Sequence, residues 1–277
     1  MNVLQAIILG LVQGLTEFLP VSSSGHLVVI EYLMNIKEEQ AFFMTIMLHF
    51  GTLVSLVIVY FKDIVKLAVE FILSIRDLIQ KKSLNICKNE TRKLCYMIIV
   101  TSIPTVIIGL VFKKVFMSFY SSLLAVGIGL LITSAYMYVA DIMNGKKDIK
   151  RAGFKDAFIV GIFQGIAIVP GISRSGSTIF GGLFSKMKKD FAVKYAFLVS
   201  LPVILGSFIL ELPDAIKNGN TNGGLLPIFV GMIVAGVSGY FAIKMMIDIV
   251  RKRSLKGFMV YTAAFGTALI LYSIMFT

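Results

Sequence analysis

Gln13-Gly14-Leu15-Thr16-Glu17-Phe18-Leu19-Pro20-Val21-Ser22-Ser23-Ser24-Gly25-His26 interrupts an otherwise apolar amino-terminal stretch. It carries the first acidic residue and the first histidine of the chain. A polar or charged side chain at membrane depth costs a few kcal/mol and is retained chiefly where it has work to do. Outward from this stretch, Met1–Leu19 has a helical apolar pattern that Pro20 ends. The serines that follow are good N-caps for a second helix over 22–34. Neither piece spans a bilayer comfortably, so the reading is a re-entrant helix–loop–helix, tolerated where it is buried in protein or lines a cavity.

The rest of the 277 residues places that pair in a membrane protein. The chain is 57% hydrophobic and has no Trp. Its mean hydropathy is +0.88, too apolar for a soluble domain. Runs at 41–61, 94–112, 119–141, 195–212, 226–249 and 257–276 read as six spans. Residues 157–168 and 173–185 form a second broken pair. The stretches 62–93 and 144–155 read as basic loops, and 113–118 as a short turn. The amino terminus lacks a charged n-region, since no Lys or Arg precedes Lys37, and is not read as a cleaved signal. Cys87 and Cys95 fit no metal spacing, and no disulfide is expected.

The net charge of +12 does not indicate nucleic acid, because the basic residues cluster in loops between spans. With both pairs returning to their side of entry, 21 of the 27 Lys and Arg fall on one side and four on the other. The positive-inside rule makes the richer side cytoplasmic and puts both termini outside. This count fixes orientation but not re-entrancy, since two full crossings give the same sidedness.

A second polar stretch, Gln164–Thr178 (QGIAIVPGISRSGST), matches the first. Each Gln is followed by Gly, and the distance from Gln13 to Gly25 equals that from Gln164 to Gly176. Each half has one broken pair and three spans, and an odd number of spans inverts the second half. The expected fold is therefore all-α: one membrane domain over 1–277, with six transmembrane helices, two re-entrant pairs and an inverted-topology repeat. The halves cover about 1–142 and 153–277, and the two tips meet near the midplane.

Each tip is a serine-rich turn opening a helix. Its free N–H groups and positive dipole end suit phosphate. Ser22, Ser23 and Ser24 in one tip, and Ser173 and Ser175 in the other, are candidate binding groups. Arg174 adds a planar cationic fork that matches phosphate oxygens, or else pairs with a buried carboxylate, for which Glu17 is the obvious partner. Glu17 lies one helical turn after Gln13 on the same face, and can hold a metal or act as a base. His26 is a candidate nucleophile, general acid, or base for Ser22 or Ser23. His49, the other histidine, is read as a structural hydrogen-bonding residue within a span.

QGLTEFLPVSSSGH at Gln13–His26 and PGISRSGST at Pro170–Thr178 resemble the two motifs of the undecaprenyl-pyrophosphate phosphatase family, also called bacitracin-resistance proteins. The resemblance covers the whole chain in length, span order and motif placement. It implies a multi-pass phosphatase of the bacterial plasma membrane that removes the terminal phosphate of undecaprenyl pyrophosphate. This would recycle the lipid carrier for peptidoglycan synthesis and confer bacitracin resistance. It further implies a Mg²⁺ or Ca²⁺ ion and an active site open to the outer face. By motif position it makes Gln13 and Glu17 the acidic, metal-binding element, Ser22, Ser23 and His26 the serine–histidine element, and Ser173, Arg174 and Thr178 the second motif. Gln13 stands where many members carry Glu, and offers a neutral carbonyl oxygen. Type-2 phosphatidic-acid phosphatases need a histidine after the motif arginine, and none follows Arg174.

Whether Ser23, His26 or water attacks phosphorus stays open at this level. So does lipid-phosphate transport by alternating access, alone or combined with hydrolysis. A scaffold protein would not need charged groups at both tips. Undecaprenyl pyrophosphate and membrane lipid are the expected partners; the sequence does not fix the oligomeric state and leaves a homodimer open, and glycine-rich spans such as Gly231–Gly239 are suited to packing helix against helix.

Overall fold

In a computed structural model, residues 1–81, 83–120, 122–218, 224–252 and 254–276 are described, and they fold into helices. In chain order these are α1 (Val3–Phe18), α2 (Ser23–Leu33), α3 (Glu38–Lys81), α4 (Glu90–Val111), α5 (Lys113–Tyr120) and α6 (Leu123–Ile142). The second half comprises α7 (Phe154–Ile166), α8 (Arg174–Phe184), α9 (Lys189–Asn218), α10 (Leu225–Lys252) and α11 (Lys256–Phe276). Among the described residues, six helices are long and apolar enough to cross a membrane: α3, α4, α6, α9, α10 and α11. The outside of the bundle is apolar, as a lipid-facing surface must be. On α10, Phe229, Ile233, Val237 and Phe241 form an exposed stripe at four-residue spacing, while Ala235, Ala242 and Met246 face inward.

α1, α2, α7 and α8 have 16, 11, 13 and 11 residues, against the roughly 20 that a crossing requires. Their ends are set locally. Asn2 caps α1 in a reciprocal box with Gln5. Leu19 is extended because Pro20 follows. Ser22 caps α2, its hydroxyl accepting the Gly25 N–H, and holds φ at +70°, a conformation that costs a non-glycine residue about 1–3 kcal/mol. Ser173 caps α8 in the same way, accepting the Gly176 N–H at 3.1 Å.

α1 packs along α10, and α7 along α4, each through a glycine seam. A Cβ on Gly10 would lie 2.4 Å from the Gly231 carbonyl oxygen, and one on Gly161 would lie 2.2 Å from that of Thr101. Any larger residue would push the short helix off its partner. Gly231 and Gly239 face Ala6, Met44, Phe18 and Ser55 of the same chain. The Gly231–Gly239 surface is therefore used for helix-on-helix packing within the chain, by α1 and α3.

Two stretches depart from the sequence reading. The segment 62–93, expected as a loop, continues α3 as helix to Lys81. At 44 residues α3 is about 66 Å long, twice the roughly 30 Å hydrocarbon thickness. It bends at Tyr60, where φ and ψ are −104° and 19°. Its far half is held against the start of α4 by the fully buried Arg92, which donates to Glu70 at 3.0 Å and to Asp77 at 2.7 Å. Lys62, Lys66 and Arg76, which suggested a loop, are carried on this helical extension. The 113–118 turn is likewise helical, as α5.

Candidate active site

Glu17 closes the last turn of α1, 3% exposed, and gathers polar groups from four helices. Arg174, the first residue of α8, donates its Nη2–H to Glu17 Oε1. Ser23, the first residue of α2, donates its hydroxyl to Oε2 at 2.6 Å. Gln13, one turn back on α1, donates its amide to the same oxygen at 2.9 Å. His49 Nε2, on α3, stands 3.7 Å from it. The Glu17–Arg174 pairing expected from the sequence is present. A buried carboxylate without such partners would be strongly disfavoured.

The two tips are stitched together beside this cluster. Ser175 donates its hydroxyl to the Leu19 carbonyl at 3.0 Å, joining α8 to the end of α1. Thr133 of α6 accepts the Ser173 N–H at 2.9 Å and donates to the Gly171 carbonyl at 3.0 Å. Ser22 and Ser24 Oγ lie 3.3 Å apart, and Ser173 and Ser175 Oγ 3.1 Å apart. Thr178, one turn into α8, shares its hydroxyl between the Arg174 and Ser175 carbonyls and so faces its own helix.

His26 is not gathered with Glu17. Its Nδ1 is 2.7 Å from the Ser22 carbonyl, which can only accept, so Nδ1 carries the proton. The Nε2 lone pair then accepts the hydroxyl of Tyr261 on α11 at 2.6 Å. The rings of His26 and Tyr261 lie within 9° of parallel, and Phe265 packs on the imidazole at a centroid distance of 4.7 Å. His26 thus packs between its own helix and α11, through Tyr261 and Phe265.

The sequence reading passed over Tyr261 and gave His49 a structural role alone. His49 does make the expected structural bond, Nδ1 to the Thr45 carbonyl at 2.8 Å, but it also turns Nε2 toward Glu17. A lone His in an apolar run has no local pattern to mark it. The available signal was that the chain has two histidines, and that polar groups inside a span need partners.

A divalent cation fits this chemistry in part. Gln13 is fully buried, and its Oε1 has no hydrogen-bond partner among the described residues. An orphaned amide oxygen beside a carboxylate is a hard-donor set of the kind Mg²⁺ and Ca²⁺ take. No group of three or more His, Cys, Asp or Glu able to hold a metal occurs among the described residues. The donors present therefore suit an ion whose remaining ligands come from phosphate oxygens and water.

With this geometry in hand, comparison with known proteins identifies the family. The family model described as bacitracin resistance protein BacA matches residues 6–268. The chain belongs to this family. It is 48% identical to the undecaprenyl-diphosphatase of Alkaliphilus metalliredigens over 99% of this chain and all of that one. It is 41% identical to the enzyme of that name from Halothermothrix orenii, over 98% of each chain. With the one from Methanosphaera stadtmanae it shares 38% identity over 99% of each.

Proposed function

We infer that the chain is a membrane-embedded undecaprenyl-diphosphatase. It hydrolyses undecaprenyl pyrophosphate to undecaprenyl phosphate, which returns the lipid carrier to peptidoglycan synthesis and confers bacitracin resistance. The observation that carries this reading is the Glu17–Ser23–Arg174 cluster: a carboxylate, a hydroxyl bonded to it, and a guanidinium, between two serine-capped helix N-termini.

Arg174 spends one N–H on Glu17 and keeps donors for phosphate oxygens. The first-turn N–H groups of α2 and α8 supply further donors aligned with the helix dipoles. Ser22, Ser24, Ser173 and Ser175 shape this cradle. Gln13 and Glu17 would hold the divalent cation, which supplies charge neutralisation to the pyrophosphate. We assign Ser23 as nucleophile and Glu17 as its base, a reading supported by the short hydroxyl–carboxylate bond, an arrangement that activates an alcohol. As Oγ bonds to the terminal phosphorus, its proton passes to Glu17. The bond from phosphorus to the bridging oxygen breaks, and undecaprenyl phosphate leaves as an anion. Water then cleaves the phosphoserine, and Glu17 returns the proton to Oγ. The Nε2 of His26, occupied by Tyr261, is less available to attack.

The two halves are proposed to be inverted repeats within one membrane domain, with α1–α2 and α7–α8 re-entrant. Three features support this: the helices too short to cross, the matching serine caps, and the glycine seams of α1 on α10 and α7 on α4. The basic loops are assigned to the cytoplasm, with both termini and the site's mouth outside. Cys87, exposed at the end of the 62–93 segment, checks this. A membrane-impermeant maleimide should label it in inside-out vesicles and leave it unlabelled in intact cells; labelling in intact cells reverses the orientation.

Purified protein in detergent should release one phosphate per undecaprenyl pyrophosphate and stop when EDTA removes divalent cations. Failure to release phosphate with Mg²⁺ or Ca²⁺ supplied would overturn the assignment.

A further inference from the structure

His49 meets the requirements of a ligand that neither motif contains. It lies on α3, outside both broken pairs, and reaches the site through its ring. Its Nδ1 is 2.8 Å from the Thr45 carbonyl. Because a carbonyl only accepts, that bond fixes the proton on Nδ1 and leaves the Nε2 lone pair pointing away from the helix backbone. Metal-ligating histidines are held in this way, one ring N–H donated to a backbone carbonyl and the other nitrogen free for the ion.

What Nε2 faces is Glu17 Oε2, at 3.7 Å. That gap is longer than a hydrogen bond and short enough for one ion to bridge, since two bonds of about 2.1 Å reach about 4.2 Å. The third donor is the Gln13 amide oxygen, fully buried and without a partner among the described residues. The His49 side chain is 32% exposed and that of Glu17 3%, so the cluster opens on the His49 side, where a phosphate could enter the same coordination shell.

We propose that His49 is a protein ligand of the divalent cation, completing with Gln13 Oε1 and Glu17 a one-nitrogen, two-oxygen site that phosphate oxygens fill. The proposal rests on the reading of Gln13 and Glu17 as cation ligands and adds an element the motifs do not predict. A nitrogen donor moves preference away from Ca²⁺ and toward transition-metal ions; Mn²⁺, which takes oxygen donors as Mg²⁺ and Ca²⁺ do, serves as the paramagnetic probe. It also lets this chain hold its ion with a neutral residue at position 13. The rival explanation is a direct ion pair between a protonated His49 and Glu17, with no ion between them.

The test is electron spin-echo spectroscopy of tag-free protein loaded with Mn²⁺ alone, then with inorganic pyrophosphate added. The expected result is ¹⁴N modulation from a directly bound imidazole, lost in His49→Gln and retained in His26→Gln. His49→Gln should also weaken Mn²⁺ binding by at least about tenfold. Bound Mn²⁺ without ¹⁴N modulation, or modulation lost in His26→Gln instead, overturns the role of His49 while leaving the Gln13–Glu17 site standing. Mn²⁺ binding unchanged in both Glu17→Gln and Gln13→Ala overturns the underlying site, and His49 with it. Circular dichroism and thermal unfolding of each variant separate loss of a ligand from loss of fold.

Discussion

The α1–α2 pair and the α7–α8 pair share a scaffold and differ in chemistry. Both begin with a short helix laid by glycine against a long one, and both restart from a capping serine. Gln13 and Gln164 are both buried, each with its Oε1 unpartnered among the described residues. Four residues on, the first pair has Glu17 and the second Ile168. After the capping serine the first pair has Ser23 and the second Arg174; after the glycine come His26 and Ser177. One pair thus supplies the carboxylate, hydroxyl and imidazole, and the other the cation. Two copies of either would juxtapose like charges or leave a buried charge unpaired, which is costly. The asymmetry is what lets two equivalent tips form one neutralised site.

The comparison breaks most sharply at Arg174. Arg174→Ala should lower thermal stability, because it leaves the buried Glu17 without its cation, yet keep the helical fold, since the residue lies at a helix start and is partly exposed. It should lower kcat/KM for phosphate release by about 10³-fold or more, as removal of a charge-stabilising arginine does in phosphoryl transfer. Near-normal turnover in folded protein would remove the phosphate clamp from the second pair.

Exchanging the carboxylate tests whether the pairs are interchangeable. Glu17→Ile should abolish turnover, and adding Ile168→Glu should not restore it. Ile168 is half-buried against Gly109 of α4, so a carboxylate there would lose part of its hydration to that helix. Thermal unfolding should show the double variant less stable than Glu17→Ile, because the half-buried carboxylate loses hydration without gaining a partner. Restored turnover would mean that the tips are equivalent.

The smallest effect is expected at Tyr261. Tyr261→Phe keeps the ring on His26 and deletes one hydrogen bond, a net change of about 0.5–1.5 kcal/mol. A fall in kcat of roughly 2- to 12-fold should follow, with any trapped phosphoryl group found on Ser23 by mass spectrometry. A rise in rate, with phosphate trapped on His26, would show that Tyr261 masks the true nucleophile.

Much of this was legible in the sequence. The six long helices follow from uninterrupted apolar runs, and the short ones from Pro20, the serines and the glycines. Glu17 and Arg174 stood out because a charge in an apolar stretch needs a partner, and each was the obvious one for the other. The far half of α3 was misread because Lys62, Lys66, Arg76 and Lys81 give the composition of a loop. Val65, Val69, Ile72 and Ile79 carried the helical spacing beneath that charge, and all are exposed. Thr178 was expected at the site on motif position, yet its hydroxyl is turned to its own backbone, a local choice that motif spacing does not encode.

By itself the sequence determined the class, the helix boundaries at the tips and the identity of the charged pair. Each of these rests on local composition, capping and the cost of burying charge. Tertiary structure alone decided that His26 faces Tyr261, 235 residues away, and not Glu17, and that His49 turns Nε2 toward that carboxylate. Those encounters depend on how α3 and α11 are rotated against the short helices. That rotation is set by side-chain packing at Gly10, Phe265 and their neighbours, summed over whole helix faces, and no short stretch of sequence contains it.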